Sequence, residues 1–185
     1  MSTTFADEGI RERLLLAGIH EIELHGINDF SMRRVASACE VSCAAPYRHF
    51  KGRDELVSAI ISYINSCWDM MARQIALTYE GDCRKQLVET CVGYVRFFTA
   101  NPKFFSVMLS VKGDSEHGGA KTSLVIFELL HKFCAREALG REDEARLSFL
   151  VDSLTCGAAI ALKDKSSAEC DRGIEFLRTE LEKMF

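Results

Sequence analysis

Residues 31–56, SMRRVASACEVSCAAPYRHFKGRDEL, decide the fold of this chain. Ser31 is a good N-cap, and Met32, Val35, Ala36 and Cys39 fall on one helical face behind it. Glu40-Val41 breaks that helix. Ser42 offers a second N-cap, and a compact helix follows through Phe50, carrying Tyr47, Arg48 and His49. Arg33, Arg34, Arg48, Lys51 and Arg53 set five cations against three acids, Glu40, Asp54 and Glu55. Two helices joined by a short turn, with cations beside them, form a helix-turn-helix, whose second helix lies in a DNA major groove.

Working outward, a first helix is expected over about residues 6–25, with Ile10, Leu14, Ala17, Ile22 and Leu24 as its apolar stripe. Gly26 fits the position just past its end, where a positive φ is easiest. Ile27 and Phe30 then anchor the loop. Lys51-Gly52 is a hinge, and Asp54 and Glu55 suit the positive end of a fourth helix, about residues 53–79. Gly81-Asp82 ends it. A fifth helix, about 84–100, places Leu87, Cys91, Tyr94, Val95 and Phe98 at helical spacing. Asn101-Pro102 breaks it and opens another, PKFFSVMLSV. The polar, glycine-rich stretch at 113–121 reads as a mobile loop. Helices over about 122–139, 141–163 and 166–184 finish the chain, with Gly140 separating the first two and Ser166 capping the last. The expected fold is all-α, with about nine helices.

The chain has 185 residues, 48% hydrophobic and 27% charged, which fits a folded globular protein and excludes a disordered one. The N-terminus lacks a charged-then-apolar signal pattern, and no stretch approaches the roughly 20 apolar residues of a membrane span. A cytoplasmic location without a membrane partner is expected. A net charge of −4 does not oppose a nucleic-acid partner, because DNA binding needs a local basic face. Eight scattered cysteines form no C-x-x-C pair and no zinc-like spacing with histidine, so no metal or other cofactor is expected. Their ordinary reading is as small buried hydrophobes; a redox sensor needs an exposed, low-pKa thiolate. His20, His25, His117 and His131 stand in no constellation with a cysteine, and there is no Gly-rich phosphate loop. An enzyme is not expected.

From about Arg11 to Leu56 the chain resembles the N-terminal DNA-binding domain of TetR-family transcriptional regulators. RERLLLAGIHEIELHG matches the first helix, FSMRRVASACEVS the second helix and turn, and APYRHFKGRDEL the recognition helix and its exit. Two positions depart from the pattern: Glu40 stands where the turn usually has Gly, and Gly18 where the first helix usually has Ala. The resemblance implies a three-helix DNA-binding domain at residues 1–52 and a helical effector-binding and dimerisation domain at 53–185. It places Tyr47 and His49 against the DNA backbone and Arg53 at a phosphate, and Ser31, Arg33 and Ser42 near the sugar-phosphate edge. Lys51 adds a further cation there. Cys43, Ala44 and Arg48 are candidates to face the groove, two small residues for thymine methyls and one Arg able to read guanine.

In the second domain, Trp68, Met71, Tyr94, Phe98, Phe105 and Met108 are candidates to line an apolar pocket for a small hydrophobic or aromatic effector. Packing is the plainer meaning of such a set. The family dimerises through its last two helices. Leu154, Gly157, Ala158 and Ala161, with Ile174, Leu177 and Leu181, are the expected interface, and a mid-helix Gly there calls for a packing reason. The function these features imply is a ligand-responsive regulator, more in keeping with a repressor, binding a palindromic double-stranded operator as a homodimer. The alternatives are an interaction module that keeps the scaffold without binding DNA, and a thiol-based redox sensor.

Overall fold

A computed structural model describes residues 3–111 and 124–185. Among these residues the chain is helical without strands. Its helices are α1 (Thr3–His25), α2 (Met32–Ala38), α3 (Pro46–His49), α4 (Arg53–Thr78), α5 (Cys83–Ala100), α6 (Pro102–Val111), α7 (Leu124–Arg136), α8 (Arg141–Leu162) and α9 (Ser167–Met184). The loop expected at 113–121 lies outside the described residues. The helices cluster into two compact units. One holds α1 to α3, α4 as far as Asn65, and α6 from Lys103; the other holds the rest of α4, α5 and α7 to α9.

In the first unit, Leu14, Leu15, Ile19 and Ile22 of α1 are buried with Val35 and Ala36 of α2 and with Leu56, Ile60 and Ile64 of α4. Leu24, expected on the α1 stripe, is 61% exposed. It lies two residues, or about 200° of helical rotation, from Ile22, whereas Ile19 is one turn away and takes the inner place. Gly18 is explained by its neighbour: an added Cβ would lie 2.5 Å from Ile60 Cδ1, which fills the space a methyl would need. Gly26 takes φ +75° directly after α1 and donates its N–H to the Ile22 carbonyl at 2.8 Å.

The second unit is organised around α5, which packs against α7, α8 and α9. Asp82 caps α5 by accepting from the Lys85 N–H at 2.9 Å. Residues Leu87 to Val95 are buried almost without interruption, as suits a helix covered on nearly every side. Arg178 of α9 pairs with Glu89 of α5. The turn after α7 is made by Ala138 at φ +53°, not by Gly140, which sits at φ −76° and caps α8. Ser166 opens α9 as expected, and its N–H and hydroxyl both donate to Glu169 Oε2, at 3.1 and 2.7 Å.

Helix α9 turns inward the residues that the sequence assigned to a partner, whereas α8 leaves Gly157 and Ala161 exposed. Leu147, Val151, Thr155 and Ala159 form the buried stripe of α8, four residues apart. Ile174, Leu177 and Leu181 are buried inside the chain. Their one-turn spacing puts them on the side of α9 that meets α5 and α8, and so removes them from any surface offered to a partner. The outward faces carry Phe149 and Phe176, each 71% exposed, and Ile160. Helix α8 also passes the length and composition test for a membrane span, with only 28% of its apolar window buried inside the chain.

Candidate nucleic-acid interface

The site begins with how α2 is held. Ser31 adopts extended backbone, and its Oγ accepts from the Arg34 N–H, which starts α2 where the sequence places it. Helix α2 ends in a Schellman motif: the Glu40 N–H donates to the Ser37 carbonyl and the Val41 N–H to the Ala36 carbonyl. That closure needs a left-handed residue, and Glu40 supplies it at φ +56°. The backbone therefore keeps the geometry usually given to glycine, with an exposed carboxylate added at the turn.

Two contacts tie α2 to α1. Arg13 donates to the Cys39 carbonyl while the Cys39 thiol donates to the Arg13 carbonyl at 3.4 Å. Glu21, buried to 6% exposure, accepts from the Ser31 N–H and from Arg34, with His25 Nε2 3.8 Å away on its other oxygen. Hydrogen bonding to Glu21 raises the Arg34 pKa, so Arg34 is a structural cation. The sequence did not mark Glu21 as buried. Its only local signal is its place on the Leu14–Ile22 face, one residue before Ile22.

Helix α3 is shorter than expected. Residues 42–45 form a turn in which the Ala45 N–H donates to the Ser42 carbonyl at 2.9 Å, so Ala45 rather than Ser42 precedes the helix. Pro46 becomes its first residue, where a missing N–H costs nothing and the fixed φ favours helix entry. The helix ends at Phe50, whose ring is buried with Arg11 stacked above it, 5.3 Å from guanidinium carbon to ring centroid. Arg11 therefore lies beside the exit of α3, a placement the sequence motifs did not signal.

Around this frame Arg33, Ser42, Cys43, Ala44, Tyr47, Arg48, Lys51 and Arg53 are exposed, and Ser31 and His49 are half-buried. Tyr47 shows 58% of its surface, so it stands outside the core. Arg33, Arg48 and the Lys51 ammonium enter no ion pair among the described residues, so this surface carries uncompensated positive charge. Arg53 differs. It donates to the Ile27 carbonyl and lies 3.9 Å from Asp54, pinning the loop after α1 to the start of α4. Glu55 accepts from the Lys51 N–H at 2.6 Å, fixing the hinge.

The pocket candidates separate. Trp68, Tyr94 and Phe98 are buried together in the second unit: Tyr94 meets Trp68 edge-on at 5.3 Å and Phe98 at 4.8 Å. Met71 is half-buried, and Phe105 and Met108 are buried in the first unit. Two clefts in the second unit are lined by other residues. One, of about 430 Å³, lies among Gly81, Cys83, Arg84, Phe133, Arg136 and Phe185. The other, of about 350 Å³, lies among Arg73, Leu77, Gln86, Val125, Leu129 and Lys132.

The cysteines are all free thiols. Burial pushes the Cys91 thiol up to about 12 and raises Cys39 and Cys134 as well, which keeps these three protonated. Among the described residues no three His, Cys, Asp or Glu side chains gather as a metal site would require.

Residues 14–60 match the family model described as bacterial regulatory proteins, tetR family. No curated protein matches the chain. Solved structures with the same fold include a TetR-like transcriptional regulator from a Rhodococcus species (TM-score 0.68, 20% identity, 94% of this chain and 93% of that one). PfmR, a TetR family transcriptional regulator from Thermus thermophilus, aligns at TM-score 0.69 and 20% identity, covering 93% and 96%. A TetR variant from Acinetobacter baumannii, in complex with minocycline, aligns at TM-score 0.58 and 15% identity, covering 92% and 91%. At these identities the likeness is one of fold.

Proposed function

We propose that the chain is a regulator of the TetR family, whose model residues 14–60 match, and that it is a ligand-responsive repressor binding a palindromic operator as a homodimer. The observation that carries this reading is the surface around α2 and α3, where Arg33, Arg48 and Lys51 stand exposed with no ion pair among the described residues, in an otherwise acidic chain. Tyr47, His49, Arg53, Ser31 and Ser42 would hold the phosphate backbone, and Cys43, Ala44 and Arg48 would face the bases. Binding of this kind is sequence-selective and falls steeply with salt. The protein would work in the cytoplasm, where its DNA is.

Two recognition helices must meet half-sites about 34 Å apart, so the function calls for a dimer. Helix α8 supports one. Its outward face carries Phe149, Gly157, Ile160 and Ala161, with Leu154 and Ala158 half-buried at the edge of the inner stripe, and an added Cβ at Gly157 would touch nothing inside the chain. A mid-helix Gly costs about 1 kcal/mol against Ala, and a close second backbone is the packing reason that would offset it. On α9, Phe176 is a further exposed aromatic. A partner copy also accounts for the apolar character of α8 without a membrane.

For the effector, the buried aromatic set of Trp68, Tyr94 and Phe98 favours a small, largely apolar molecule held in the second unit, with Met71 at its edge. A fold relative is in complex with minocycline, which supports small-molecule binding in this fold without fixing the ligand's polarity. Binding would change the spacing of the two DNA-binding units and release the operator.

A gel shift with the DNA flanking the protein's own gene, read across a salt series, tests the proposal. A retarded band that weakens steeply with salt and survives nonspecific competitor is expected. Binding that competitor abolishes at every salt concentration counts against it, and points to a scaffold that has lost operator recognition.

A further inference from the structure

We infer that the Trp68 indole Nε1–H is the hydrogen-bond donor that reads the effector, and that the effector is a neutral, largely apolar molecule with a carbonyl-type oxygen. The inference rests on the effector-binding reading above and adds the chemistry of the ligand.

Trp68 is 3% exposed. Its Nε1 is buried with no acceptor in hydrogen-bond reach, and among the described residues it is the buried side-chain polar atom left in that condition. An unpaired buried donor costs folding free energy, and native structures keep one chiefly where a ligand or water completes it. The neighbouring polar groups are already satisfied. The Tyr94 hydroxyl is hydrogen-bonded to the Cys156 sulfur, and the Cys156 thiol donates to Asp152 Oδ1 at 3.6 Å. Tyr94 stays protonated, because burial raises its phenol well above the usual range. The side chains packed around the indole are aromatic: Tyr94 edge-on at 5.3 Å and Phe97 tilted at 5.7 Å, with Phe98 edge-on to both.

These surroundings select the ligand by charge. A cation cannot accept from an N–H. A carboxylate would be buried against a single neutral donor, with Asp152 close by and no cation in this group of residues to offset its desolvation. A ketone, ester or amide oxygen needs one donor and carries no net charge, so it fits.

Trp68 is the single tryptophan, so both the emission and the indole N–H resonance of the full chain report on this position alone. The probes are 2-octanone, its isostere 2-methyl-1-octene, which lacks the oxygen, and octanoate. The ketone should bind at least tenfold more tightly than either, and should move the indole N–H resonance downfield while the alkene does not. Trp68→Phe keeps an aromatic ring and removes the donor, so it should bind ketone and alkene equally. Equal binding of ketone and alkene by the unaltered protein, or tighter binding of octanoate, overturns the inference and leaves the effector-binding reading standing. A Trp68→Phe protein that still prefers the ketone also overturns it. Should that variant not fold, the resonance shift in the unaltered protein decides. If none of the three probes binds, both the inference and the effector reading fail, while the gel shift continues to report DNA binding independently.

Discussion

Glu21 Oε1 accepts from Arg34 Nε at 2.7 Å and from the Ser31 N–H at 3.1 Å, so one buried carboxylate on α1 holds the first turn of α2. The helix that leads into the turn is thus oriented by an acid outside the motif. Glu21→Ala leaves both donors without an acceptor and should cost about 2 kcal/mol. That corresponds to roughly 4–8 °C of melting temperature in a chain of this size. Thermal denaturation followed by circular dichroism checks it, and a change of under a degree would show that the contact carries no net stability.

Glu40 closes the Schellman motif from the left-handed region. Glycine enters that region without a Cβ penalty, so Glu40→Gly should stabilise the protein by about 0.5–1 kcal/mol. It also removes a negative charge at the turn between α2 and α3, and exposed charges act over roughly 8 Å at physiological salt. Operator affinity should therefore rise, more at low salt than at high. Titration at two salt concentrations, beside a thermal melt, separates the two effects. Lower stability would contradict the backbone argument.

Arg48 and Lys51 are exposed cations with different expected partners. Arg48→Ala should cost about 1–3 kcal/mol on the preferred operator and relax selectivity at one base-pair position. Lys51→Ala should weaken all sequences alike and lower the slope of log affinity against log salt by about one phosphate contact. Arg53→Ala should lower binding evenly too, but with some loss of stability, because Arg53 also holds the Ile27 carbonyl. Operator variants tested against each protein supply the readout; identical selectivity profiles for Arg48→Ala and Lys51→Ala would reject the division of roles.

Gly157 is exposed on α8, and a side chain there would meet nothing in its own chain. Gly157→Leu should therefore leave the monomer folded, with its helical signal intact, while obstructing close approach of a second copy. Light scattering at micromolar concentration should give a dimer for the parent and a monomer for the variant. A dimer that persists in Gly157→Leu moves the interface elsewhere.

What the sequence determined by itself is what local chemistry decides. Ser31 and Ser166 start helices, Gly26 ends one, and the order of helix, turn and helix around Glu40 follows from spacing and caps alone. These signals act over a few residues, so they survive whatever the rest of the chain does. Pro46 falls inside the helix that a Ser42 cap would start, and the chain accommodates it by starting α3 at Pro46 itself. Tertiary structure decided which residue meets which. Leu24 points out and Glu21 in; Ile174, Leu177 and Leu181 serve their own core, while Phe149 and Phe176 are left for another surface. The indole of Trp68 is buried without a partner although Tyr94 beside it is satisfied. Those outcomes depend on contacts between residues far apart in the chain, and an apolar or charged side chain does not announce which distant neighbour will cover it.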